Sequence, residues 1–181
     1  MRFFFISILL IYTTLSFCQE ITVKTFYPNN KLKESYGAVV RGNDTIKNGT
    51  FTYFYENGVI MQQGQIIEDQ LQGEWFTYFP DGRLKSKFLI VDGLKHGNYV
   101  LYYENGIVRE KGRMIGDKPS GTIRSYHENG NIATIIDFKN GKQDGIKKTY
   151  NSAGLLLSEI EYADGKVDGV YHTYYDNQKI N

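Results

Sequence analysis

The sequence predicts an all-β chain: an elongated antiparallel meander of tandem 24-residue β-hairpins, laid out as a single twisted sheet. Three observations predict it. Gly49, Gly73, Gly97, Gly121, Gly145 and Gly169 recur every 24 residues. A second series, Gly58, Gly82, Gly106, Gly130 and Gly154, follows nine residues behind, with Gln178 in its sixth place. Between the glycines of each pair stands an aromatic (Phe54, Tyr78, Tyr102, Tyr126, Tyr150, Tyr174), and two residues past the second glycine stands an aliphatic (Ile60, Leu84, Val108, Ile132, Leu156, Ile180). A fixed internal period marks a repeat architecture. A helical repeat needs an uninterrupted apolar stripe at three-to-four spacing, which these glycines break. The 15 Tyr, 11 Phe and 19 Gly, against three Pro, suit strands and tight turns.

The elements follow in order. Residues 1–18 begin with Arg2 and run uncharged from Phe3 to Phe17. That run is shorter than the ~20 apolar residues of a membrane span. It reads as a signal peptide cut before Gln19, with the small residues Ser16 and Cys18 at the −3 and −1 positions. A second reading is a lipoprotein signal, "LSFC", acylated at Cys18, although Phe17 stands where a small residue is usual. Either way the expected location is the periplasm, the outer envelope or the medium. Cleavage would leave a mature chain balanced in charge and free of cysteine, without disulfide, thiol nucleophile or thiolate metal ligand.

Residues 19–48 form an N-terminal segment with a degenerate first repeat, since "FYPNNKLK" at 26–33 resembles "YFPDGRLK" at 78–85. Regular repeats then start at 49, 73, 97, 121, 145 and 169, the last incomplete. Each reads as strand, tight turn, longer strand, looser turn. In "YYENGIV" the tight turn is Glu104-Asn105-Gly106, a three-residue hairpin loop whose last residue is left-handed, a conformation glycine accepts without steric cost. The looser turns "DGLKHG" (92–97), "NGKQDG" (140–145) and "DGKVDG" (164–169) read as four- or five-residue connections. After the last turn no strand follows Asn181, so an open sheet edge is expected. It would be covered by the turn itself, by a partner or by a second copy.

Register follows from the loop. Tyr103 faces Ile107 and Tyr102 faces Val108, and residues directly across an antiparallel pair share a face. By even spacing that face gains Met114, Phe88, Ile136 and Ile160, and it is the expected core. The opposite face then carries Phe51, Tyr55, Trp75, Phe79, Tyr99 and Tyr103 in the early repeats, and Ile123, His127, Lys147 and Asn151 in the later ones. Either the early repeats are buried on both faces, or these six aromatics form an exposed patch that binds something. They are the candidate interaction face.

Chemistry is sparsely represented. His96, His127 and His172 occupy three different positions of the repeat, with no nucleophile or second histidine in phase. No zinc spacing occurs, and the turn aspartates Asp92, Asp117, Asp144, Asp164 and Asp168 are too scattered for calcium. "GRMIGDKPSG" lacks the Gly-Lys-Ser of a phosphate loop. No catalytic residue, metal site or cofactor is expected. A net charge of +1 and the absence of a Lys/Arg run argue against nucleic acid.

The phased words "YYENGIV", "YFPDGRL" and "YHENGNI" resemble the MORN-repeat variant of many bacterial proteins, over about residues 26–181. Proteins with this pattern often carry the label of toxin–antitoxin antitoxins of the YwqK family. The resemblance implies a non-enzymatic scaffold that binds a partner protein, in antitoxin fashion or otherwise. MORN repeats in general are linked to protein assembly and, in some eukaryotic proteins, to lipid headgroups, so the resemblance also implies a lipid headgroup as a candidate partner. An exported chain departs from the antitoxin picture, since antitoxins mostly act in the cytosol. The alternative function is a surface binder of glycan or lipid through the aromatic face. Self-association through the C-terminal sheet edge is a further expectation.

Overall fold

The computed structural model describes residues 19–175 and 179–180. The signal peptide and the lipidation reading at Cys18 lie outside these residues, as do Gln178 and Asn181. The strands are β1 (Gln19–Phe26), β2 (Leu32–Arg41), β3 (Asp44–Phe54), β4 (Ile60–Ile67), β5 (Gln70–Tyr78), β6 (Leu84–Val91), β7 (Leu94–Lys95) and β8 (Gly97–Tyr102). They continue as β9 (Val108–Ile115), β10 (Lys118–Pro119), β11 (Gly121–Tyr126), β12 (Ile132–Lys139), β13 (Lys142–Gln143), β14 (Gly145–Tyr150), β15 (Leu156–Ala163) and β16 (Lys166–Thr173). All belong to one 16-stranded sheet in which spatial order follows chain order; β7, β10 and β13 are short spurs on their predecessors. Every pairing is antiparallel, and β1 and β16 lie at opposite ends of the order, unpaired with one another. The meander read from the sequence is the fold.

The three-residue loops form as the "ENG" words require. Tyr103 N donates to Ile107 O at 2.9 Å, Gly106 N donates to Tyr103 O at 3.0 Å, and Gly106 takes φ 83°. The degenerate first copy makes the same loop, Tyr27 N to Lys31 O at 2.8 Å, with Asn30 in the left-handed place at φ 61°. Asparagine tolerates that region better than other side chains.

The looser turns differ from expectation. Each is a two-residue turn with both central residues left-handed, the hairpin turn whose twist matches the flanking strands. Asp92 (φ 51°) and Gly93 (φ 77°) join Val91 to Leu94, which pair across the turn. Leu94 and Lys95 run back along β6 as β7, and only then does His96 N reach Leu89 O at 2.8 Å, leading into β8. The second glycine of "DGLKHG" therefore marks a break between strand pieces rather than part of the turn.

The assignment of faces also needs correction. Tyr102 pairs with Val108 as expected, but Leu101 pairs with Glu110, so Arg109 is one residue in excess. This bulge recurs beside each three-residue loop from β3 to β15. A one-residue slip moves every following side chain to the other face. Trp75 therefore pairs with Phe88, Tyr99 with Gly112, and Ile123 with Ile136. Phe51, Trp75 and Tyr99 join the face that holds Ile66, Phe88 and Ile90, and the core is built on that face. Its centre is Ile66, Trp75 and Ile90, with Phe51, Leu71 and Phe88 packed around them.

The hairpins are tied together at both ends. At the rim of three-residue loops, bonds reach forward to the next repeat. Tyr55 Oη donates to Tyr78 O at 2.9 Å, Tyr103 Oη to Tyr126 O at 2.7 Å, and His127 Nε2 to Tyr150 O at 3.0 Å. The loop asparagines do the same: Asn57 Nδ2 reaches Pro80 O at 2.8 Å, Asn105 Nδ2 reaches Glu128 O at 3.0 Å, and Asn129 Nδ2 reaches Ser152 O at 2.7 Å. At the rim of two-residue turns, bonds reach backward. Asp69 N donates to Lys47 O, Gly93 N to Leu71 O, Asp117 N to Lys95 O and Gly165 N to Gln143 O, at 2.8–3.1 Å.

Candidate functional site

The bulged register gathers one row of side chains across the core face. Phe51 lies opposite Gly64 in β4, and its ring centroid is 5.7 Å from that of Trp75. The indole covers Gly64, where an added Cβ would collide with it. Phe88 stacks on Tyr99 at 5.3 Å with planes 8° apart, and Tyr99 and Ile123 close over Gly112. Trp75 is 5 % exposed and Tyr99 2 %. Trp75 Nε1 donates to Gln72 O at 3.1 Å, and Tyr99 Oη donates to the Glu110 carboxylate at 2.7 Å, so both polar tips are satisfied. Burial, then the Glu110 carboxylate, pushes the Tyr99 phenol far above its ordinary value and keeps it protonated.

The six expected interface residues thus divide into two groups. Phe51, Trp75 and Tyr99 belong to the core row, where strand packing half or wholly buries them. Tyr55 and Tyr103 spend their hydroxyls on the neighbouring repeat. Phe79 occupies the same repeat position without a hydroxyl, with Lys85 Nζ 5.5 Å from its ring centroid. Phe79 and Tyr103 do line one open groove at the loop rim, together with Glu104, Arg109 and Glu128. The structure brings no exposed plane of aromatics together from these six.

The other face holds what the sequence reading passed over. Ile67, Val91 and Ile115 share one repeat position, each next to a core residue in the chain, and each is exposed; Leu94, paired with Val91, is exposed beside them. The 24-residue period marks these positions directly, but the period alone does not tell which face a side chain takes. Farther along, the same positions hold Lys139 and Ala163. The histidines stay apart from one another. His96 sits at a strand break, His127 ties two repeats, and His172 packs edge-on to Tyr174 at 6.3 Å. Among the described residues no group of three metal-ligating side chains converges.

A single sheet of like hairpins, each fastened to the one before and the one after, defines a tandem β-hairpin repeat protein. The model of the MORN repeat variant matches residues 19–36, 47–67, 71–91, 95–114 and 119–140, more than half of the chain, and the chain belongs to that family. Repeats of this kind generally mediate protein or membrane-lipid contacts. No curated protein matches the chain. The β14–β15 hairpin lies beyond the last matched segment, yet it has the same loop, with Asn151 N donating to Leu155 O at 2.9 Å.

Proposed function

We propose that this protein is a non-catalytic repeat scaffold that holds a partner protein against the outer face of its sheet. The observation that carries the reading is the exposed aliphatic set Ile67, Val91, Leu94 and Ile115 near the rim of two-residue turns. Apolar side chains clustered on a surface and rimmed by polar residues mark interaction sites, and Gln70, Asp92 and Lys118 stand around this set. Neutralising a partner in antitoxin fashion is one activity such binding would serve. Export through residues 1–18 would place the encounter in the envelope. A glycan platform of stacked rings draws no support from Trp75 and Tyr99, which present no open face.

The test is recovery of partners from envelope extracts with the purified full chain. Val91→Ser with Leu94→Ser should lose a specific partner without a change in melting temperature. Trp75→Ala should lower the melting temperature, and the partner with it. Equal recovery by the Val91→Ser/Leu94→Ser variant would reject this face as the contact. Mass measurement of the mature N-terminus tests export separately: Gln19 as first residue supports cleavage, and an acylated Cys18 supports the lipoprotein reading.

A further inference from the structure

The outer face carries a second feature, independent of the aliphatic set. One row across the strands runs Lys87, Val100, Lys111, Arg124, Ile135, Lys148, each opposite the next. The cations at its ends are neutralised, Lys87 by Glu74 and Lys148 by Glu159. The two in the middle are not. Lys111 lies directly across from Arg124, and Arg113 follows two residues along β9, opposite Asn98. None of the three has a carboxylate in ion-pair range among the described residues, and neither guanidinium makes a hydrogen bond there. The ammonium of Lys111 lies 5.4 Å from the Tyr126 ring centroid. Like charges directly across a strand pair are destabilising, yet the row accepts the cost at this place.

The same place is concave. Pro119 pairs with Met114 and Arg124 with Lys111, so residues 120–123 face only residues 112–113, and the sheet opens beside Gly112 and Gly121. The groove, of about 410 Å³, is lined by the three cations with Asn98, Ser120 and Thr122. The acidic group next to it, Asp137, accepts from Thr122 Oγ1 at 2.6 Å. Two repeats earlier the fold makes the same groove around Gly64, with Gln63, Gln65, Glu74 and Phe76 where Lys111, Arg113, Thr122 and Arg124 stand. The shape therefore recurs in the two copies that carry a glycine at this place, and the three cations stand in only one of them.

We infer that the groove at Gly112 binds a tetrahedral oxyanion, a phosphate or sulfate group, held by Lys111, Arg113 and Arg124. Guanidinium forks match such oxygens two at a time, and a bound anion would relieve the Lys111–Arg124 repulsion. The full chain, labelled with nitrogen-15, is titrated with inorganic phosphate and with sulfate at constant ionic strength. Saturable amide shifts are expected at residues 111–113 and 120–124 and not at 63–65 or 74–76. Lys111→Gln with Arg124→Gln should weaken binding tenfold or more, while its anion-free melting temperature holds or rises. Arg113→Gln alone, an exposed change, gives a second reading if the double variant fails to fold. Sedimentation with phosphatidic acid vesicles, lost in the same variants, would put the group on a lipid; no sedimentation alongside saturable phosphate binding would put it on a soluble molecule. Shifts that never saturate, that appear equally at both grooves, or that persist unchanged in the variants would overturn the inference.

Discussion

Trp75 owes its burial to what its neighbour lacks. Gly64 supplies the floor on which the indole lies, and Phe51 and Ile66 enclose it. Trp75→Ala should cost about 3–5 kcal/mol in urea denaturation, the usual range for emptying a large aromatic site. Gly64→Ala should cost about 1–3 kcal/mol, because the new methyl group meets a ring that its neighbours hold in place. Gly112→Ala meets Ile123 Cγ1 at 2.7 Å and should behave alike. At the far end, Glu159 is held below its ordinary value of 4.5, first by the hydrogen bond from Lys148 and then by the one from Tyr174. A carboxyl lowered in the folded state stabilises above its ordinary value, and that contribution fades as pH falls through the lowered value. Acidification below pH 4.5 should therefore loosen β16 ahead of the central strands, read as earlier amide exchange at Tyr171–Thr173. Glu159→Gln should remove that pH response.

Each hairpin depends on two turn types with different residue demands. In the three-residue loop Asn105 has two roles. Its Oδ1 accepts from Ile107 N at 2.9 Å, and its Nδ2 reaches Glu128 O in the next repeat. Asn105→Ala should cost about 1–2 kcal/mol, two hydrogen bonds at their usual net value, and hydrogen exchange should rise in the loops around both 105 and 129. These loops were legible in the sequence because few residues accept a left-handed backbone, and "ENG" and "PDG" supply them in phase. The faces were less legible. The bulge leaves no mark in composition: Arg109 is an ordinary strand residue, and the period counts it in every copy without saying where the excess falls. Even spacing carried across that bulge put Trp75 and Tyr99 on the wrong side. Their size argued for burial, but burial alone does not tell which face is the core. The groove at Gly112 was unreadable for a related reason, since it depends on which residues of β9 and β11 go unpaired.

Across the whole molecule, the substantial strand contacts run between neighbours in the sheet order. Stability in such a chain is close to a sum over units and their interfaces. Removing residues 97–120, one full period, should preserve the β-type circular dichroism spectrum and a cooperative melt at lower temperature. Removing residues 97–108 alone should abolish the cooperative melt, because it joins strands whose loop and turn rims no longer alternate. A deletion out of phase that melted as sharply as the one in phase would contradict the additive picture.

The opposed fastenings at the two rims bear on mechanics. Side chains at one margin lean toward higher residue numbers, while backbone amides at the other lean toward lower ones. Sliding a hairpin along its neighbour in either direction strains both sets at once, so the ribbon resists shear while it can still bend or coil about its long axis. Single-molecule extension should accordingly peel the sheet from an end, one period at a time.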